Sequence, residues 1–174
     1  MLALAPVALV VLAFFLDRWR RRLREQRLSK QPFPAHWTQI LETRMPVYKA
    51  LQAQERSTLQ QLIQRFLDDK TFYGCAGLEV TELMKLCIAA EACLLLLGQS
   101  GPVYPKLQSI RVYPTGFVAK RDVHQEDGTV AAGEHHLLGE SWGNGRVILS
   151  WDDVEEGARD FSDGHNVVLH EFAH

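Results

Sequence analysis

From Glu82 to Leu97 the chain carries a helix-length run that is apolar on nearly every side, interrupted only by Glu82, Lys85 and Glu91. A helix with one apolar stripe rests on a surface, whereas one that is apolar all round has to be enclosed. The fold must therefore be built around this segment. Thr81 supplies an N-cap and Gly98 a stop just past its end. The three charges leave an uncharged stretch well short of the ~18 residues of a membrane span, so the enclosure is made of protein.

The flanks supply the enclosing elements. Trp37, Ile40 and Leu41 recur at helical spacing and predict a short helix ending before Pro46. Leu59, Leu62, Ile63, Phe66 and Leu67 predict a second, capped by Ser57 or Thr58. Beyond Gly101-Pro102 the pattern changes to short β-type runs at 110–113, 116–119, 136–139 and 146–151. Hairpin turns are expected at Asp127-Gly128 and Gly143-Asn144-Gly145. Residues 152–158 read as a short helix or turn, and Asp163-Gly164 opens a final helix. The expectation is an α+β domain: helices first, then a small mixed sheet, then a last helix.

The amino terminus is a separate problem. Met1 to Leu16 is free of charge, and a dense cationic run then extends from Arg18 to Lys30. A secretory signal would place its charge before the apolar stretch, so the order predicts an uncleaved membrane-anchor helix with the basic side cytoplasmic. The apolar stretch is short for a span, and Trp19 with snorkelling arginines would have to extend it. A basic helix lying on anionic lipid, or a misplaced start, is the competing reading. Gln31-Pro32-Phe33-Pro34 breaks the helix, which gives a membrane-anchor and juxtamembrane segment over 1–30 and a domain over 31–174.

Composition narrows the function. Over 174 residues, 47% are apolar and 23% charged, with a net charge of -2, so nothing marks the chain for direct contact with nucleic acid. Cys75, Cys87 and Cys93 are odd in number and form no CxxC pair, which argues against a disulfide framework and for buried thiols without chemistry.

The chemistry lies in His170-Glu171-Phe172-Ala173-His174. In an HExxH pentapeptide on a helix, positions i and i+4 share a face, so His170 and His174 present two imidazoles to one metal ion with Glu171 beside them. Val167, Val168, Leu169, Phe172 and Ala173 surround these residues, and the polar stripe of His, Glu and His is expected to face out of an otherwise buried helix. Zinc held by neutral nitrogens with an open position acidifies bound water to about 7 and polarises a carbonyl. Glu171 is the expected general base, and the reaction class is metal-assisted hydrolysis of a peptide bond. A catalytic zinc normally takes three protein ligands, and the motif supplies two. His124, His135, His136, His165, Asp163 and Glu140 are the remaining candidates, none of them compelling. Arg146 to Ser150 is the candidate edge strand for pairing with a substrate backbone.

Longer blocks surround the motif: Phe33-Pro34 with Trp37, FLDDKTFYGCAGLEVTE, IAAEACLLLLG, YPKLQSIRVYPTGF, GESWGNGRVILSWDDV and DGHNVVLHEFAH. Together they resemble the zinc-dependent peptidases of the Mlc titration factor A family, from Pro32 to His174. The resemblance implies an aminopeptidase-like zinc enzyme with a zincin-like fold similar to the protease domain of anthrax lethal factor. It also implies His170 and His174 as zinc ligands and Glu171 as the catalytic carboxylate. In that family the third ligand is a glutamate well downstream of the motif, expected here beyond His174. The chain is accordingly expected to be the amino-terminal part of the domain, binding zinc weakly and without useful catalysis by itself.

The partners expected are a peptide or protein substrate and, through the amino-terminal segment, a membrane. The location is the bacterial inner membrane with the domain cytoplasmic, or the cytoplasm if the anchor fails. The resemblance also implies a second class of function, a regulator that sequesters a transcriptional repressor of sugar-uptake genes. An inactive fragment is the third reading.

Overall fold

The computed structural model describes residues 4–115, 145–159 and 166–173. Within them the elements run α1 (Leu4–Lys30), α2 (Ala35–Arg44), α3 (Pro46–Ala50), α4 (Ala53–Asp69), β1 (Thr71–Gly74), α5 (Glu82–Leu94), β2 (Ser109–Tyr113), β3 (Arg146–Ser150), α6 (Trp151–Arg159) and α7 (Val167–Phe172). The chain divides into two compact units, Met1–Pro32 and Phe33–His174.

In the first unit α1 is one unbroken helix that passes from the apolar stretch straight into the basic run. Among the described residues no helix is long and apolar enough to cross a membrane. The expected membrane-anchor helix is thus without support as a span: charge begins at Asp17 and Arg18, before a bilayer's thickness of apolar residues has accumulated. Leu12, Phe15, Leu16, Trp19 and Leu23 are exposed along it.

In the second unit α5 is the axis. Every residue from Leu86 to Cys93 is buried, as an all-round apolar helix requires. Thr81 caps it, its hydroxyl accepting from the Met84 amide at 3.3 Å. The helix ends at Leu94 rather than Leu97, and the chain turns through to Gly98, whose φ of +80° suits glycine. Helices α2, α4, α6 and α7 pack against it. At its start the Trp37 indole N–H donates to Glu82 at 3.0 Å, and Phe33 meets Trp37 edge-on.

The sheet has the order β1-β2-β3, and both pairings are parallel, Thr71 opposite Ser109 and Ser109 opposite Arg146. Where the sequence predicts a mixed sheet, the strands among the described residues are thus parallel. The reason is the connection: α5 is the crossover of a β1-α5-β2 unit, and a crossover of this length returns the chain parallel. The expected strands at 116–119 and 136–139 and the turn at Asp127-Gly128 lie outside the described residues. Ile110, Val112, Val147 and Leu149 alternate inward and build the sheet's contribution to the core. Trp151 does not end β3 but starts α6, with the Ser150 hydroxyl and the Asp153 carboxylate hydrogen-bonded across the junction.

Two details escaped the sequence pattern. Helix α4 starts at Ala53, earlier than a Ser57 or Thr58 cap would place it, because the Glu55 carboxylate accepts from the Gln52 amide at 2.9 Å. Thr58 lies inside the helix and donates back to the Gln54 carbonyl. Lys70, between α4 and β1, has a fully enclosed side chain. Its ammonium donates to the carbonyls of Tyr104 and Leu107 at 2.7 and 2.8 Å, fixing the approach to β2, and meets Asp69 at 2.7 Å.

Candidate metal centre

Helix α7 carries the His-Glu pair, and its placement follows from its apolar residues. Val168 and Phe172, one turn apart, are buried. The Phe172 ring lies 5.8 Å from Phe66 of α4 and 5.0 Å from Tyr104, centroid to centroid. Tyr104 is itself tied down by its hydroxyl, which donates to the Ala92 carbonyl at 2.6 Å. Rooted on this side, the helix leaves His170 exposed.

Glu171 behaves differently from expectation. It is only 4% exposed, so it does not share a solvent-facing stripe with His170. Consecutive helical residues point about 100° apart, and with Val168 and Phe172 inward, position 171 falls at the margin of the buried side. His174 lies outside the described residues, as do His124, His135, His136, His165, Asp163 and Glu140. Among the described residues no group of three or more His, Cys, Asp or Glu side chains is placed to hold a metal ion.

The helix begins at Val167, later than Asp163-Gly164. Asn166 is its cap: the side-chain oxygen accepts from the Leu169 amide at 2.8 Å, and the backbone carbonyl accepts from the His170 amide at 3.0 Å. The Asn166 side-chain nitrogen donates to Glu91 Oε2 at 2.7 Å. Glu91, in the middle of α5, is wholly buried, and its Oε1 has no hydrogen-bond partner among the described residues. Burial pushes its carboxyl up to about 8, against a partial lowering by the Asn166 hydrogen bond. Gly157 of α6 makes the room, since a Cβ there would stand 2.8 Å from the Asn166 nitrogen and 3.2 Å from its Cα.

Sequence reasoning missed Glu91, Asn166 and Gly157. The available signal was a lone carboxylate inside an apolar run, which taken alone says only that the run is not a span. None of the cysteines is in a disulfide; Cys87 and Cys93 are buried as expected, while Cys75 is only half-buried, and burial pushes the Cys87 thiol up to about 12 and Cys93 higher still.

Helix α7 is thus rooted in the core and turns one histidine to solvent beside an enclosed glutamate. Residues 17–174 match the family described as glucose-regulated metallo-peptidase M90, and the chain belongs to that family. An uncharacterized protein of Synechocystis is 42% identical over 153 residues, covering 87% of this chain and 55% of that protein. Proteins named Mlc titration factor A from Enterobacter and Klebsiella pneumoniae are 32% and 33% identical, each match covering 79% of this chain and 51% of the relative. The chain spans about half the length of these curated relatives.

Proposed function

We propose that the chain carries the metal-binding helix of a zinc-dependent, aminopeptidase-like metallopeptidase, with His170 and His174 as ligands and Glu171 as general base. The observation that supports it is the disposition of α7. Val168 and Phe172 root it, His170 stands where an ion and a substrate have access, and the adjoining Glu171 is held by burial. Imidazole nitrogen is a donor suited to Zn²⁺, and His170 is the proposed ligand that stands exposed among the described residues. When bound, the metal supplies Lewis acidity toward a peptide carbonyl and toward water. Glu171 takes the proton of the attacking water and returns it to the departing amine.

The test is zinc content and peptide hydrolysis in the protein that carries these residues. Glu171→Gln should keep its zinc and lose about 100-fold or more of turnover. Normal turnover in that variant sinks the assignment of the base, and failure of the unaltered protein to take up zinc sinks the ligands.

The relatives' name favours a second reading, in which the protein binds an Mlc-type transcriptional repressor. Capture of the purified repressor should then survive Glu171→Gln, and loss of capture in that variant would count against a surface role separate from the metal. The proposed location rests on α1. Its exposed Leu12, Phe15, Leu16, Trp19 and Leu23 recur at helical spacing among exposed Arg18, Arg20, Arg22, Arg24 and Arg27, a combination suited to the headgroup layer of an anionic bilayer. This combination supports a proposed location at the cytoplasmic face of the bacterial inner membrane, and vesicle binding tests the membrane contact.

A further inference from the structure

We infer that Glu91 and Asn166 form a positioning pair for the metal-binding helix, Asn166 capping α7 with its oxygen and tying it through its nitrogen to the enclosed carboxyl on α5. The inference rests on the metal reading above and concerns what sets the register of its helix.

The amino-terminal register of α7 is set at Asn166, where the helix begins. Apolar contacts through Val168 and Phe172 attach it to the core, but such packing is non-directional and tolerates small rotations and slips. Hydrogen bonds are directional. Asn166 makes three at the start of the helix: to the Leu169 amide, to the His170 amide through its own carbonyl, and to Glu91. His170 is therefore one hydrogen bond removed from a residue that the central helix holds by its side chain. Gly157 leaves the space in which that side chain lies.

The energetics point the same way. A carboxyl sealed inside an apolar helix, with one oxygen unpaired among the described residues, costs stability, and a leucine in its place would cost less. The polar group is thus a poor choice for holding the fold together and a good one for fixing a direction. Glu91 and Asn166 are positioning residues, acting on the metal through His170.

Three variants separate this role from a structural one. Glu91→Leu removes the acceptor and relieves the buried carboxyl; Asn166→Ser keeps a capping oxygen but cannot reach Glu91; Glu91→Gln keeps an acceptor for Asn166. With Zn²⁺ alone as probe, Glu91→Leu and Asn166→Ser should bind roughly tenfold or more weakly. Glu91→Gln should stay near the unaltered protein, and the thermal midpoint of Glu91→Leu should be equal or higher. In the metal-free protein, hydrogen exchange at the Leu169 and His170 amides should accelerate in the first two variants and not in the third. Unchanged zinc affinity in Glu91→Leu, or a loss in Glu91→Gln as large as in Glu91→Leu, overturns the inference. If the unaltered protein takes up no zinc, the ligand assignment fails by itself, and unchanged exchange in Asn166→Ser then overturns the pair.

Discussion

Glu91 shows what one residue does to the pH response of a whole fold. Its carboxyl is held at about 8 by burial, against 4.5 when exposed, so the folded protein keeps a proton that the unfolded chain releases above 4.5. The stability linked to this proton is fully present below about 4.5, is lost progressively as pH rises toward 8, and does not change further beyond it. Denaturant titrations at pH 5, 6.5 and 8 should show this decline, at most about 1.4 kcal/mol per pH unit for one proton. Glu91→Gln should flatten it, and an equal slope in that variant would assign the titration elsewhere. None of this was legible beforehand. Thr81 could be read as a cap because its partner is three residues away; the partner of Glu91 is 75 residues away, and only the folded chain brings Asn166 to it. The Gln52 cap of α4 was illegible for another reason, since its backbone amide donates to the Glu55 carboxylate and Gln is outside the usual capping set.

At the scale of elements, α7 depends on its rooting more than on its length. Removing the Phe172 ring from its contacts with Phe66 and Tyr104 leaves a void between α4, α7 and the approach to β2. Phe172→Ala should cost about 3–5 kcal/mol of stability. Because that ring roots the helix, the α7 amides should lose hydrogen-exchange protection in this variant before the rest of the domain does. Loss of stability below 1 kcal/mol would mean that α7 is not held by this ring. The helices were the legible part of the fold: apolar spacing marked α2, α4 and α5, and the HExxH run marked α7. Strand β1 was not legible, because Thr71-Phe72-Tyr73-Gly74 is short and largely exposed, with neither the alternation of a half-buried strand nor the solid apolar run of a central one.

For the whole molecule, the α+β class followed from the change of pattern after Gly101, but the parallel order did not. A parallel pair is decided by what crosses between its strands, and the sequence names the strands without naming their neighbours. The candidate site was legible as chemistry in His170 and Glu171, whereas the burial of Glu171 needed the packing of Val168 and Phe172. Helix α1 gives the prediction at this scale. The full chain should co-sediment with vesicles containing anionic phospholipid, less so as salt rises, and weakly with zwitterionic vesicles. Replacing Phe15 and Trp19 by serine should lower binding at least tenfold, and undiminished binding would show that charge alone carries it. Lys70 has one more consequence. With its ammonium closed under the carbonyls of Tyr104 and Leu107, an amine-reactive reagent reaches it only when β1 and the approach to β2 part. Acylation there clocks the breathing of the sheet against the immediate acylation of surface lysines, a built-in timer needing no added label.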